Sequence, residues 1–117
     1  MKSFFVLFHE SPSTLTQMSP SQMQEVIARY TAWFNRVHAA GHIGVRAKLK
    51  DDGGRHLSRE RNAVLASDGP FVEAKDVISG VFVLTAASHE EAQSLLEDCP
   101  HFDFGWMEVR EIDFIKQ

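Results

Sequence analysis

The chain has 117 residues, 12 Lys and Arg against 16 Asp and Glu, and a formal net charge of −4 with neutral histidines. That length suits a single domain with a real core, expected to span residues 1–117. The mild acidity argues against nucleic acid, which would ask for a basic face, and the absence of a run of about 18 apolar residues argues against a membrane span.

The first predicted element is a strand over residues 3–8, short, apolar and rich in Phe, as a strand buried on both faces should be. It has some look of a weak signal peptide, but it ends at His9-Glu10 without a small-residue cleavage pattern, which favours the strand. After a polar loop, Ser19-Pro20-Ser21-Gln22 has the form of a helix start. Ser19 is the N-cap, Pro20 takes the first helical position and Gln22 reaches back to complete a capping box. Met23, Val26, Ile27, Tyr30, Trp33, Phe34 and Val37 then keep the rhythm of one apolar stripe, and Gly41 ends the helix.

Ile43, Val45, Ala47 and Leu49 alternate with Gly44, Arg46, Lys48 and Lys50, which predicts a strand with one wet face. Asp51-Asp52-Gly53-Gly54 is turn chemistry, and residues 55–66 read as a charged hairpin folding at Arg59-Glu60-Arg61-Asn62. The stretch SDGPFVEAKD, residues 67–76, contains a second turn, Asp68-Gly69-Pro70, followed by the apolar ring of Phe71. A strand apolar on both faces covers Val77 to Ala86. Ser88 to Glu91 predicts a second capping box, opening a helix whose buried stripe is Ala92, Leu95 and Leu96. The last strand, over 106–115, slips phase between Val109 and Ile112, so it carries a bulge or ends early.

The order β-α-β, hairpin, β-α-β predicts an α+β chain of the ferredoxin-like split βαβ kind: an antiparallel sheet with two helices on one face. Phe4, Val6 and Phe8 point one way while Phe5 and Leu7 point the other, and Val81 and Val83 oppose Phe82 and Leu84. Two helices can cover only one of these faces. A homodimer laid sheet to sheet is the expected remedy.

With that order in hand, the chain resembles the DGPF family, a branch of the YCII-related proteins. The likeness rests on FFVLF near the start, ARYTAWFNRVHAAG in the first helix, SDGPFVEAKDVISGVFVLTAAS through the turn and third strand, EEAQSLLEDCP in the second helix and MEVREI at the end. Ala74 stands where the family commonly has Thr, and Glu111 where Pro is common. The resemblance implies a dimeric α+β barrel. Related YCII proteins have been proposed to use a His-Asp pair in a pocket, and the matching helical position here is Tyr30. A phenol near pKa 10 is a poor general base at neutral pH.

The candidate catalytic groups are Asp68, His9 and Tyr30. Asp68 is either a general base, a carboxylate that orients a ligand, or the cap of its own turn. His9, at the end of the first strand, is placed to supply the imidazole that Tyr30 does not. Trp33 and Tyr30 are core side chains or one wall of a ligand pocket, and Phe71 anchors the turn beside it. Glu73 and Lys75 form an exposed ion pair or a fixed pair at the pocket rim. Arg110 clamps a ligand carboxylate or pairs with Glu73 or Glu108. His38 and His42 stand four apart but Gly41 breaks the helix between them, so no metal is expected, nor any cofactor. A lone Cys99 forms no internal disulfide and fits a cytoplasmic setting. Two functions stay open: a small acid-base enzyme acting on a small organic molecule, and a non-catalytic ligand-binding or regulatory accessory protein.

Overall fold

The computed structural model describes residues 1–11, 13, 17–50, 54–68 and 76–115, with Asp68 described through its backbone alone. In chain order come β1 (Lys2–Glu10), α1 (Pro20–Ala39), β2 (Ile43–Lys48), β3 (Arg55–Glu60), β4 (Ala63–Asp68), β5 (Val77–Ala86), α2 (His89–Leu96), a 3-10 turn at Pro100–Asp103 and β6 (Gly105–Glu111). Four strands make an antiparallel sheet in the order β2-β5-β1-β6. This is the α+β, ferredoxin-like split βαβ arrangement. β3 and β4 pair separately as the hairpin, turning at Arg61-Asn62 with Arg61 at φ 56°.

Local chemistry explains most boundaries. Ser19 Oγ accepts the Gln22 N–H at 3.2 Å while the Ser19 N–H donates to Gln22 Oε1 at 2.9 Å, so the box closes in both directions. Ala40 caps the other end, and Gly41 at φ 85° takes the left-handed turn that a β-carbon would resist. The second helix keeps only half of its expected box. Ser88 Oγ accepts the Glu91 N–H at 3.2 Å, but the Glu91 carboxylate reaches past it to the Ala87 N–H at 3.1 Å.

The alternation expected of β2 is interrupted. Ile43 pairs with Leu84 and Arg46 with Phe82, both on the helix-covered face, so a bulge between them inserts one extra residue. From Arg46 onward the phase is reversed: Arg46 turns toward the helices, and Val45 is 78% exposed. β6 ends early, at Glu111, with one further ladder bond from the Ile112 N–H to the Ser3 carbonyl at 2.8 Å.

Phe4, Val6 and Phe8 of β1 and Phe82 and Leu84 of β5 meet Trp33 and Val37 of α1 and Ala92 and Leu96 of α2. Each such large side chain contributes about 1.5–3 kcal/mol on burial. The ion pairs Arg29–Asp103 and Arg36–Asp98, at 2.5 Å and open to solvent, are screened and contribute little. The apolar stripe therefore docks α1, and the ion pairs only tune its seat. Both helices lie on the face of Phe4, Val6 and Phe8. Among the described residues no helix covers the other face, with Phe5, Leu7, Val81 and Val83, and Phe5 is 45% exposed. Among the described residues no helix is long and apolar enough to cross a membrane.

Gly105 opens β6 opposite Glu10, and a β-carbon there would collide with the His9 carbonyl oxygen. Gly105→Ala should therefore push β6 off β1. The expected loss is about 2 kcal/mol or more, read as a lower denaturant midpoint; an unchanged midpoint would show that the strand end yields freely.

Candidate functional site

Between α1 and the sheet lies a cavity of about 660 Å³. Phe8 and Phe82 form part of its floor, and Met23, Ile27, Tyr30 and Phe34 of α1 line its roof. Part of the helical stripe is therefore core, through Trp33 and Val37, while the rest, the buried Val26 included, borders a space it does not fill. The volume falls within the range of small-molecule sites, about 300–1,000 Å³.

Polar groups gather at two places on this apolar lining. The first is the end of β1. His101, in the 3-10 turn, is 1% exposed, stacks on Phe8 at 4.1 Å between ring centroids, and is bonded at both nitrogens. Its Nε2 lies 2.9 Å from the His9 carbonyl oxygen and its Nδ1 lies 2.7 Å from the Tyr30 hydroxyl. A carbonyl can only accept, so Nε2 carries the proton and Nδ1 of the neutral ring accepts the Tyr30 O–H. The Tyr30 oxygen is left with acceptor lone pairs alone. Burial, and then the Glu10 carboxylate, push the Tyr30 phenol well above its ordinary value. Burial holds His101 below its own.

Glu10 completes this end. It continues the inward phase of Phe4, Val6 and Phe8, is 7% exposed and lines the cavity. Among the described residues its carboxylate has no hydrogen-bond partner. The second polar place is on β2, where Arg46 and Lys48 border the cavity and the Arg46 guanidinium sits 4.5 Å from the centroid of the Phe34 ring.

The residues singled out from the sequence are distributed differently from what was expected. Tyr30 lines the cavity, but His9 does not join it. The two-residue period of β1 turns the His9 ring to the opposite face, where its Nε2–H donates to Glu108 at 2.8 Å and it stacks on Trp106 at 4.0 Å. Only the His9 backbone serves the cavity, by holding His101. Trp33 is buried away from it, its Nε1–H donating to Asp98 at 3.0 Å. Arg110 lies on the uncovered face, opposite Phe5, beside a second cavity of about 550 Å³. It makes no ion pair among the described residues, with Glu108 engaged by His9.

Asp68 closes β4 opposite Arg55, and its side chain lies outside the described residues, as do Gly69, Pro70, Phe71, Glu73 and Lys75. Beyond them the Asp76 carboxylate accepts the Trp106 indole N–H at 3.1 Å, and Val77 pairs with Glu10. Among the described residues no three His, Cys, Asp or Glu side chains are grouped to hold a metal ion. His42 Nδ1 instead bonds the Thr85 carbonyl oxygen at 2.7 Å. Cys99 is buried and its thiol is pushed up to about 11, chiefly by that burial, so it is no nucleophile at neutral pH.

Reading the sequence missed Glu10, His101 and Arg46. Glu10 had a signal: extending the first strand by two residues puts a carboxylate in the buried phase. His101 had none, since nothing local shows which element it will pack against. A family model described as the YCII-related domain matches residues 3–115. No match is found among curated proteins.

In the unfolded chain His101 titrates near pH 6.5, whereas in the fold burial disfavours the imidazolium. The neutral ring therefore supports stability fully above about pH 6.5, and that support is lost as pH falls through the folded value. Denaturant midpoints should decline on the acid side, this one proton giving up to about 1.4 kcal/mol per pH unit. Tyr30→Phe, which strips Nδ1 of its donor, should cost about 1–3 kcal/mol at neutral pH. A Tyr30→Phe protein as stable as the parent would mean the bond has no structural weight.

Proposed function

Since the chain belongs to the YCII-related domain family, we propose that it is a homodimer that binds a small organic molecule in the cavity under α1. Glu10 is the group through which it acts on that molecule. The carrying observation is the Glu10 carboxylate itself, 7% exposed, on an apolar cavity, and without a hydrogen-bond partner among the described residues. Among the described residues no buried side-chain oxygen lacks a partner, so the Glu10 carboxylate is wetted through the cavity, and a ligand's donor takes the place of that water.

The chemistry follows from what each group has left to offer. His101 is bound at both nitrogens and has no free lone pair to take a proton. The Tyr30 proton is committed to His101. Among the described residues of this polar end Glu10 alone retains free basic lone pairs, so it is the general base of an acid-base reaction on the bound molecule. The alternative is a ligand-binding or regulatory accessory protein, favoured by the locked Tyr30–His101 pair, which leaves neither of those two groups free to act as a general acid. The segment SDGPFVEAKD resembles the DGPF branch of the family, and Val77, just beyond it, pairs with Glu10. That adjacency supports reading the turn with Asp68 as part of the cavity's rim. The single buried thiol of Cys99 supports a reducing, cytoplasmic setting.

The uncovered sheet face supports the homodimer. Phe5 and Trp106 are each 45% exposed there, beside Leu7, Val81 and Val83, and a stable interface buries about 1,200–2,000 Å² in total.

Two measurements test these readings. Glu10→Met fills the same space without charge, and should leave the fold as stable as the parent while abolishing ligand binding and any turnover. A drop in stability would make Glu10 a structural carboxylate and remove the main support. Light scattering should return a dimer at micromolar concentration for the parent chain and a monomer or unfolded chain for Phe5→Glu. A folded parent monomer would sink the dimer.

A further inference from the structure

We propose that the cavity is built for a two-ended molecule, with an amine or similar N–H donor at the Glu10 end, an apolar body, and a carboxylate at the Arg46 end. This rests on the reading of the cavity as a ligand site and specifies what it takes.

Donors and acceptors are sorted to opposite ends. At the β1 end Glu10 offers only acceptor oxygens. Tyr30 also offers only acceptor lone pairs, because its proton is given to His101 Nδ1, which is fixed as an acceptor by the Nε2 bond to the His9 carbonyl. Two ligand acceptors placed there would face lone pairs alone, so the complement is a donor, and a cationic one gains most from a buried carboxylate. At the β2 end Arg46 can only donate, and it has no carboxylate partner among the described residues. The β2 bulge is what turns it inward. A planar guanidinium calls for a carboxylate or similar oxyanion.

The stretch between the two ends is apolar, with Phe8, Ile27 and Phe34 on the cavity. Its length follows from the register. Glu10 lies four residues along β1 from Val6, which pairs with Phe82 as Arg46 does, or about 13 Å at ~3.3 Å per residue. β1 and β2 flank β5 at about 10 Å across, so the two backbones stand about 16 Å apart. Two side chains reaching inward shorten that to the span of a small aromatic ω-amino acid.

The test uses three probes on the intact protein by titration calorimetry: para-(aminomethyl)hydrocinnamate, benzylamine and hydrocinnamate. The two-ended probe should bind about tenfold or more tighter than either one-ended probe, the worth of one charge-assisted bond. Glu10→Gln should weaken the two amine-bearing probes and spare hydrocinnamate. Arg46→Gln should weaken the two carboxylate-bearing probes and spare benzylamine. Equal affinity for all three, no binding by any, or variants that lose all three alike would overturn the two-ended assignment. The cavity reading fails separately: if Ile27→Trp, which fills the space, leaves every affinity unchanged, the probes bind elsewhere.

Discussion

Strand β1 lies inside the sheet, hydrogen-bonded on both edges, and its two-residue period divides the molecule into two environments. Phe4, Val6, Phe8 and Glu10 go under the helices; Phe5, Leu7 and His9 go to the other side. A one-residue slip would exchange the two sets, and the fold would lose its core along with its site. The paired strands hold the register from both directions, with Val6 opposite Phe82 on one edge and Val109 on the other. The burial of Phe4 and Phe8 fixes which set faces the helices.

The consequences for chemistry come through the end of that strand. Glu10 is carried into the cavity by the same alternation that buries Phe8, so its position is inherited from packing. His101 reaches the strand from the opposite direction, on a 3-10 turn pinned by stacking on Phe8 and by the His9 carbonyl. Gly105 matters here because it lets β6 approach that same carbonyl. The polar end of the cavity is thus supported by backbone atoms and ring stacking, which hold geometry at little entropic cost. Apolar burial supplies the stability, and the Tyr30–His101 bond fixes the orientation of groups already buried.

The β2 bulge shows how a small backbone event changes the chemistry of a surface. With unbroken alternation Val45 and Ala47 would face the helices and Arg46 would face away. One inserted residue reverses this, leaving Val45 exposed and moving Arg46 beside Phe34. The cavity gains a cation at its mouth, and the uncovered face gains one more apolar side chain.

The sequence by itself determined the order of elements, the Ser19 capping box, the Gly41 stop, the hairpin turn and the double-sided apolar strands. Each depends on residues within a few positions of one another, where backbone sterics and capping bonds act without reference to the rest of the chain. It also marked Tyr30 and the strand end at His9-Glu10 as places of interest. The tertiary structure decided which neighbour mattered there, sending His9 away and Glu10 inward, and brought His101 from 71 residues along the chain onto Tyr30. It also removed Trp33 from the cavity by giving its indole N–H to Asp98. Those outcomes depend on register, on one bulge and on contacts between distant segments. Local propensity carries no information about such contacts, because their energy appears only when the sheet and helices have closed on each other.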